Sequence, residues 1–294
     1  MSKQIKAKKS AWQKKPLHKR IGIILAHVVL ALFAFLWLIP IFWVILTSFR
    51  ATKGSYSSTF IPTAFSLDNY IKLFTDFSVF NFPQMLLNTL IVAAATCVLS
   101  TFFVISVAYT LSRLRFKARK PLMNVAMIIN LFPGFMSMIA NYYIFKMLGW
   151  TNGPLLRLAM IAVYSGGAGL GYHIAKGFFD TIPIALDEAA MLDGCGTWGI
   201  FFRIIVPLMK PAVATVGIYT FLQCWNELMF ANVFINSDKW RTLPVGVQSL
   251  SGQYTTDWGP IGAALSIATI PTLIFYIFMS KKIQDSFVAG AVKG

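Results

Sequence analysis

The chain has 294 residues, of which 57% are hydrophobic and 12% are charged, and its formal net charge is +16. A soluble domain carries about twice that share of charged residues, so a soluble fold could not cover this much apolar surface. The same composition excludes a disordered chain, and three cysteines are too few for a disulfide-stapled secreted module. These numbers predict an all-α integral membrane protein that is surrounded by lipids.

Apolar runs long enough to cross a bilayer recur along the whole chain. A helical span needs about 20 apolar residues, and we expect six such spans. They cover approximately residues 21–46, 86–111, 122–145, 155–175, 212–235 and 260–279. The first run is too long for the apolar core of a cleaved signal peptide, so it is interpreted as an uncleaved span. The sequence therefore predicts a six-helix transmembrane domain over residues 21–280.

Two of these runs contain residues that disturb a regular helix. Asn130, Pro133 and Asn141 predict a kink or a local opening of the backbone in the third span. The fourth span is crowded by glycines at positions 166, 167, 169 and 171. The residues alone leave open whether the opening in the third span lines a pathway.

The basic residues concentrate in alternate connections between the spans. The leader of residues 1–20 holds eight of them, and the loop after the second span holds five more. Cytoplasmic loops of membrane proteins carry such an excess of Lys and Arg. We therefore expect both termini in the cytoplasm, with residues 281–294 forming a cytoplasmic tail. Because topology accounts for the net charge, no nucleic-acid partner is expected.

Three connections are long, and long connections are uncommon unless they have a function. The orientation puts residues 50–85 and 236–259 outside the cell, and residues 176–211 in the cytoplasm. The last of these, called here the 176–211 segment, contains the strongest local signals. We expect partner contacts in all three connections.

The 176–211 segment predicts two short helices at an angle. Acidic residues in the first turns of a helix oppose its dipole, as Asp187 and Glu188 would do here. Gly194 and Gly196 supply the backbone conformations that end the first helix, and a second helix over about 198–206 stops at a proline. The shallow face of Ala189 and Ala190 would fit the groove of another protein. The charges of Asp187, Glu188 and Asp193 would orient a basic partner surface.

A spaced motif in this segment is formed by Glu188, Ala189, Ala190, Gly194, Ile204 and Pro207. It resembles the EAA loop of permease subunits in bacterial ABC importers. The family pattern is EAA, three residues, Gly, nine residues, Ile, one residue, Leu and Pro. This chain follows that spacing throughout, with Val206 in place of the usual Leu, which keeps an apolar contact.

Other stretches resemble sugar permeases of the maltose-permease type. They include Phe60-Ile61-Pro62, Trp225-Asn226-Glu227 and Thr242-Leu243-Pro244. The resemblance implies the ABC importer type I permease fold, in the bacterial plasma membrane, and a subunit that imports a sugar or oligosaccharide by alternating access. It also implies three kinds of protein partner: a second homologous permease subunit, a dimer of ATPase subunits and an extracellular solute-binding protein.

The same resemblance implies how the work is divided among the subunits. The ATPase subunits dock on the EAA loop and bind ATP and Mg, so this chain binds no cofactor itself and is not an enzyme. In agreement, the chain contains no GxxxxGK[ST] phosphate-binding loop. The residues implied to couple to the ATPases are Asp187, Glu188, Ala189, Ala190, Asp193, Gly194, Ile204 and Pro207.

Polar and aromatic residues share one stripe of the fifth span. On a helix of 3.6 residues per turn the stripe consists of Tyr219, Gln223, Asn226, Glu227 and Phe230. Such side chains suit the hydroxyls and the C–H faces of a sugar, and a carboxylate inside a membrane faces a pathway or a partner by default. The alternative is that these groups hydrogen-bond to neighbouring helices.

In the outer connection 236–259, the candidates for contact with the solute-binding protein are Trp240, Gln253, Tyr254 and Trp258. These aromatics could instead be anchors at the membrane interface. The three histidines are scattered, so no metal site is expected.

Two other functions fit the residues less well than import. An ion-coupled secondary transporter would need charged sites within the membrane and related halves, whereas this chain offers one carboxylate there, Glu227, and no visible symmetry. A membrane enzyme would need clustered His, Asp or Glu residues, which the chain lacks.

Overall fold

The computed structural model describes residues 16–51, 59–77, 80–131, 134–167, 169–251 and 257–291. Within these ranges the chain folds into helices, numbered here in chain order. They are α1 Leu17–Ser48, α2 Asp68–Thr75, α3 Phe82–Arg113, α4 Arg119–Leu131, α5 Gly134–Met147, α6 Leu155–Gly166, α7 Gly169–Phe179, α8 Ala185–Leu192, α9 Thr197–Leu208, α10 Lys210–Trp225, α11 Met229–Phe234, α12 Leu243–Ser249 and α13 Trp258–Ala291. The all-α class expected from the sequence is confirmed.

Three helices in the described ranges, α1, α3 and α13, are by themselves long and apolar enough to cross a membrane. They coincide with the first, second and sixth expected spans. Helices α9 and α10 together would make a fourth, although they are bent by 80° relative to each other. The fourth expected span is divided between α6 and α7 and the fifth between α10 and α11, while the third falls on α4 and α5, on either side of residues 132–133, which lie outside the described residues.

The interruptions fall where residues unsuited to a helix were visible in the sequence, or where polar residues compete with the helix. Helix α4 ends at Leu131 and α5 begins at Gly134, next to Pro133, and glycines border the break between α6 and α7. Helix α10 ends at Trp225, before an Asn-Glu pair. Irregular backbone is tolerated at membrane depth only where it is buried in protein or lines a cavity. The three breaks therefore direct attention to the space between them.

Helix α3 is the centre of the packing, because α6, α7 and α10 all pack along it. Its buried residues alternate small and large side chains, including Ala93, Val104 and Ala108. Gly171 of α7 shows how closely these helices approach. A Cβ atom added there would lie 3.3 Å from side-chain carbons of Val104 and Val216. Small residues permit such contacts between membrane helices.

Helices α1 and α13 pack against each other near their outer ends. A Cβ atom added at Gly262 would lie 2.9 Å from the carbonyl oxygen of Val44 and 3.1 Å from the amide nitrogen of Ser48. Backbone atoms cannot move away as a flexible side chain can, so this crossing requires glycine. Asn69 of α2 supports the same corner, because its amide donates hydrogen bonds of 3.0 Å to the carbonyls of Ser48 and Arg50.

Candidate functional site

The 176–211 segment adopts the helix–elbow–helix form expected from its residues. Helix α8 ends before Gly194, whose φ of +79° lies in the left-handed region that favours glycine. The amide of Cys195 then donates a 2.9 Å hydrogen bond to the carbonyl of Ala190, which closes the end of the helix. Helix α9 follows and continues through Pro207 to Leu208, two residues beyond the expected end. A π-helical turn at Phe201–Ile205 precedes the proline and changes the hydrogen-bond register.

A buried ion pair fixes α8 to the C-terminal end of α3. The Nε atom of Arg113 lies 2.8 Å from Oδ2 of Asp187, and the two side chains are only 7% and 5% exposed. Arg113 also donates a 2.8 Å hydrogen bond from Nη2 to the carbonyl of Ile182, just before α8. Burial raises the pKa of the Asp187 carboxyl, against the opposing effect of the Arg113 guanidinium, and the charge of Glu188 raises it further.

This pair corrects the expectation that Asp187 presents its charge to a partner, because the carboxylate faces the interior of the chain. Ala190 is likewise buried, at 6% exposure, in an apolar cluster with residues of α3, α7 and α9. The period of a helix explains both corrections, since positions 187 and 190 are three apart and lie on the same face. Ile204 packs against the same cluster, whereas Asp193, Gly194 and Pro207 are exposed.

The opposite side of the segment carries an exposed surface, called here the docking face. It consists of Glu188, Ala189, Met191, Leu192 and Trp198. The apolar members are strongly exposed, with Leu192 at 90%, Trp198 at 68% and Met191 at 56%. Exposed apolar patches of this kind mark surfaces that another protein or the membrane covers. Of the motif residues, Glu188 and Ala189 lie on this surface, whereas Asp187 and Ala190 are buried; the docking role stays a prediction.

A cavity of about 920 Å³ lies between the broken helices. All three breaks contribute to it, through Gly134, Gly166, Gly167 and Met229. Ser137 and Asn141 of α5, Thr96 of α3 and Thr220 of α10 add polar groups to the wall. Residues of the expected third span therefore line this cavity, and its role as a pathway stays a prediction.

Glu227 has a more specific position than the sequence could indicate. Its Oε1 atom accepts a 2.8 Å hydrogen bond from the amide of Phe230, and its Oε2 atom accepts a 3.0 Å bond from the amide of Ala231. The carboxylate thereby caps the N-terminus of α11, where amides have no partner within the helix. The hydroxyl of Tyr164 donates a third bond, of 2.6 Å, to Oε2. Glu227 joins α11 to α6 at the wall of the cavity.

The five residues of the expected stripe do not form one continuous surface in the structure. Because α10 stops at Trp225, the stripe is interrupted, and only Gln223, Glu227 and Phe230 line the cavity. Tyr219 accepts a 2.6 Å hydrogen bond from the Gln223 amide. The Asn226 amide donates a 3.0 Å bond to the carbonyl of Leu222 in its own helix. The sequence missed Tyr164, because nothing near it along the chain indicates a partner 63 residues away.

The outer connection 236–259 is held in place by polar contacts to α3 and α6. The amide of Asn88 donates hydrogen bonds of 3.0 and 2.9 Å to the carbonyls of Lys239 and Arg241. Asn88 in turn accepts a bond from the Arg157 guanidinium, which lies 4.5 Å from the ring centre of Trp240. Trp240 is half-buried, with the Arg157 guanidinium against its ring, and its contact with a solute-binding protein stays a prediction.

The remaining outer candidates divide into two groups. Trp258 is 42% exposed at the start of α13, with its ring centre 6.1 Å from that of Trp43. This edge-on pair suits an aromatic anchor between α1 and α13 as well as a partner contact. Gln253 and Tyr254 lie outside the described residues.

Comparisons with known proteins agree with this geometry. The model of the family described as "Binding-protein-dependent transport system inner membrane component" matches residues 100–287, which include the whole 176–211 segment and the cavity wall from Gly134 onward. The chain is 33% identical over 267 residues to the inner membrane ABC transporter permease protein YcjP of Escherichia coli (strain K12), covering 90% of this chain and 94% of the relative.

A second relative and a solved structure extend the likeness. The trehalose/maltose transport system permease protein MalG of Thermococcus litoralis (strain ATCC 51850 / DSM 5473 / JCM 8560 / NS-C) is 31% identical over 280 residues, covering 94% of this chain and 98% of the relative. The crystal structure of a bacterial ABC transporter involved in the import of the acidic polysaccharide alginate contains a chain of similar fold. The TM-score is 0.74 at 21% identity, with 91% of this chain and 98% of that chain covered.

Proposed function

This chain belongs to the family of binding-protein-dependent transport system inner membrane components, and on that premise we propose that it is a permease subunit of an ATP-driven sugar importer. Its cargo is a sugar or oligosaccharide, which crosses the bacterial plasma membrane by alternating access. The observation that carries the proposal is the docking face, which sits on the EAA motif of a chain otherwise built for the membrane.

The docking face supports a separate ATPase subunit as the source of energy. Leu192 and Trp198 are large, apolar and exposed on two short helices, the arrangement by which a helix lies in an apolar groove of another protein. Glu188 beside them adds a charge that sets the orientation of the partner. ATP and Mg bind to that subunit in this proposal, and the chain itself transmits the motion.

The cavity supports a pathway that two permease subunits share. Its wall combines amides and hydroxyls with the rings of Phe145, Tyr164 and Phe230, which suits hydroxyl groups and C–H faces of a sugar. It remains open on one side, where a second homologous permease would complete it. An extracellular solute-binding protein would deliver the sugar from the outer end, where Asn88 fixes the outer connection.

An ion-coupled secondary transporter is the second candidate, because broken helices occur in that class too. In such transporters a carboxylate within the membrane has to be available to the coupling ion. Here Glu227 already accepts hydrogen bonds from Tyr164 and from two backbone amides. Its oxygens are engaged in holding α11, which favours the ATP-driven importer.

Transport by a reconstituted complex would test the proposal. The chain is co-expressed with candidate permease, ATPase and binding-protein subunits of the same source, and the complex is placed in liposomes with ATP inside or outside. We expect sugar uptake that requires hydrolysable ATP and survives an ionophore that collapses ion gradients. Uptake that continues without ATP and stops with the ionophore would contradict the proposal and favour the secondary transporter.

A further inference from the structure

The described wall of the cavity contains no basic side chain. Its described residues include no Lys, Arg or His. The polar groups are the hydroxyls of Thr96, Ser137, Thr220 and Tyr164 and the amides of Asn141 and Gln223. All of them are neutral, and each can accept a hydrogen bond as well as donate one. A wall of this kind matches the hydroxyl groups of a sugar, which are also donors and acceptors at once.

The single carboxyl group in the described wall belongs to Glu227. Its three donors belong to the protein, since Tyr164 and the amides of Phe230 and Ala231 all point at it. These donors stabilise the carboxylate in place and are not available to a second anion. A uronate, sulfate or phosphate group in the cavity would meet this carboxylate with no cation to offset the repulsion.

Three cations of the connection 236–259 and of the helix beside it are engaged by other groups of the chain. Arg157 donates to Asn88 and lies against Trp240, and Lys239 lies 5.4 Å from the centre of the same ring. Arg241 pairs with Asp238 at 2.8 Å. None of these three side chains contributes to the described wall of the cavity. The positive charge of the outer end therefore does not extend to the membrane cavity.

From this distribution we infer that the cavity selects an uncharged saccharide and rejects acidic ones. The inference rests on the proposed function and adds the substrate class. The alginate importer, whose chain has a similar fold, is involved in the import of an acidic polysaccharide, so the two proteins would differ in the charge of their cargo. A carboxylate facing the cargo, with neutral hydrogen-bonding groups around it, excludes anions and leaves the hydroxyls of a neutral sugar well matched.

The inference is tested by measuring uptake into the reconstituted liposomes. Two sugar probes of equal length are compared, neutral maltotriose and acidic trigalacturonate. We expect maltotriose-type neutral trisaccharides to be transported about tenfold or more faster than the uronate at equal concentration. Because the probes also meet the binding protein, cellotriose and galactotriose are measured beside maltotriose. Uronate uptake equal to or faster than that of every neutral probe would overturn the inference. Absence of ATP-dependent uptake of either class would instead count against sugar import itself.

A pair of variants assigns the selectivity to the cavity rather than to the binding protein. Gln223→Lys adds a cation to the wall, and Gln223→Met changes the same position without charge. We expect Gln223→Lys to raise the ratio of uronate to neutral uptake by about tenfold, and Gln223→Met to leave the ratio unchanged. Lys239→Gln, at the outer end, serves as a further control and should not move the ratio. A ratio that is the same in Gln223→Lys and in the unmodified complex would refute charge selection by this cavity.

Discussion

Arg113 and Asp187 place opposite charges 2.8 Å apart at the junction of α3 and α8, where both side chains are almost fully buried. The pair connects a membrane-spanning helix to the segment that carries the docking face. Removing one partner of a buried pair leaves an uncompensated charge, which is much more costly than removing both. This asymmetry makes the junction open to a direct test.

Asp187→Asn should destabilise the chain by about 3–5 kcal/mol, because Arg113 would be left buried without a counter-charge. The thermal unfolding of the purified protein in detergent measures the effect. Asp193→Asn is the matched control, since Asp193 is exposed on the same segment and should change stability little. The double variant Arg113→Met with Asp187→Leu should recover most of the loss. Equal unfolding temperatures for Asp187→Asn and Asp193→Asn would show that the pair contributes nothing.

Glu188→Lys should separate the chain from its ATPase subunits without unfolding it. Glu188 is exposed on the docking face, so the reversed charge should change stability by no more than about 0.5 kcal/mol. Co-purification of the ATPase and ATP-dependent uptake should both fall sharply. Glu188→Gln, which removes the charge without reversing it, should retain more of each. If Glu188→Lys binds the ATPase as well as the unmodified chain, the docking face has been assigned to the wrong surface.

The two glycines of the elbow should respond differently to alanine. Gly194 has a φ of +79°, whereas Gly196 has a φ of −71°, and an added Cβ atom meets no atom within 4 Å at either position. The difference between the two variants therefore isolates the backbone conformation. Gly194→Ala should lower the free energy of unfolding by about 1–2 kcal/mol, and Gly196→Ala should leave it nearly unchanged. Similar losses in the two variants would mean that the left-handed conformation is not required.

Removing the Tyr164 hydroxyl or the Glu227 carboxylate should lower the free energy of unfolding by different amounts. Tyr164→Phe deletes one hydrogen bond and should cost about 1 kcal/mol, whereas Glu227→Leu deletes the helix cap as well and should cost about 2–4 kcal/mol. Thermal unfolding ranks the two variants. Gln223→Leu, at the same cavity but without a bond to Glu227, should affect uptake more than stability. A Glu227→Leu variant as stable as the unmodified chain would return Glu227 to the role of a free pathway residue.

Local signals predicted the 176–211 segment well, because a glycine elbow and the motif around Glu188 act within a few residues of each other. The direction of the Asp187 side chain could not be predicted in the same way, since its partner Arg113 belongs to a different helix. Hydropathy also favoured continuous spans, because apolar residues continue across the breaks. The role of Glu227 depends on one of those breaks, and without it the carboxylate has no helix end to cap.

Asn141 and Tyr164 illustrate the remaining limit. Both lie in apolar runs where a polar side chain is compatible with helix packing and with a cavity alike. Only the meeting of α5, α6 and α10 decides between the two, and that meeting is a property of the tertiary packing. The family resemblance predicted the type of protein. Which residues line the cavity could be read only from the tertiary structure.

The bend of 80° between α9 and α10 has a mechanical consequence. Helix α9 has twelve residues from Thr197 to Leu208, so it extends about 18 Å sideways from the axis of α10 at 1.5 Å per residue. A rotation of α10 about its own axis by about 10° would carry the far end of this arm through about 3 Å. Gln223 and Trp198 are on the two sides of this bend. If α9 and α10 turn as one body, a small rotation at the cavity wall would therefore displace Trp198 by about 3 Å, and a displacement of Trp198 would turn α10 in return.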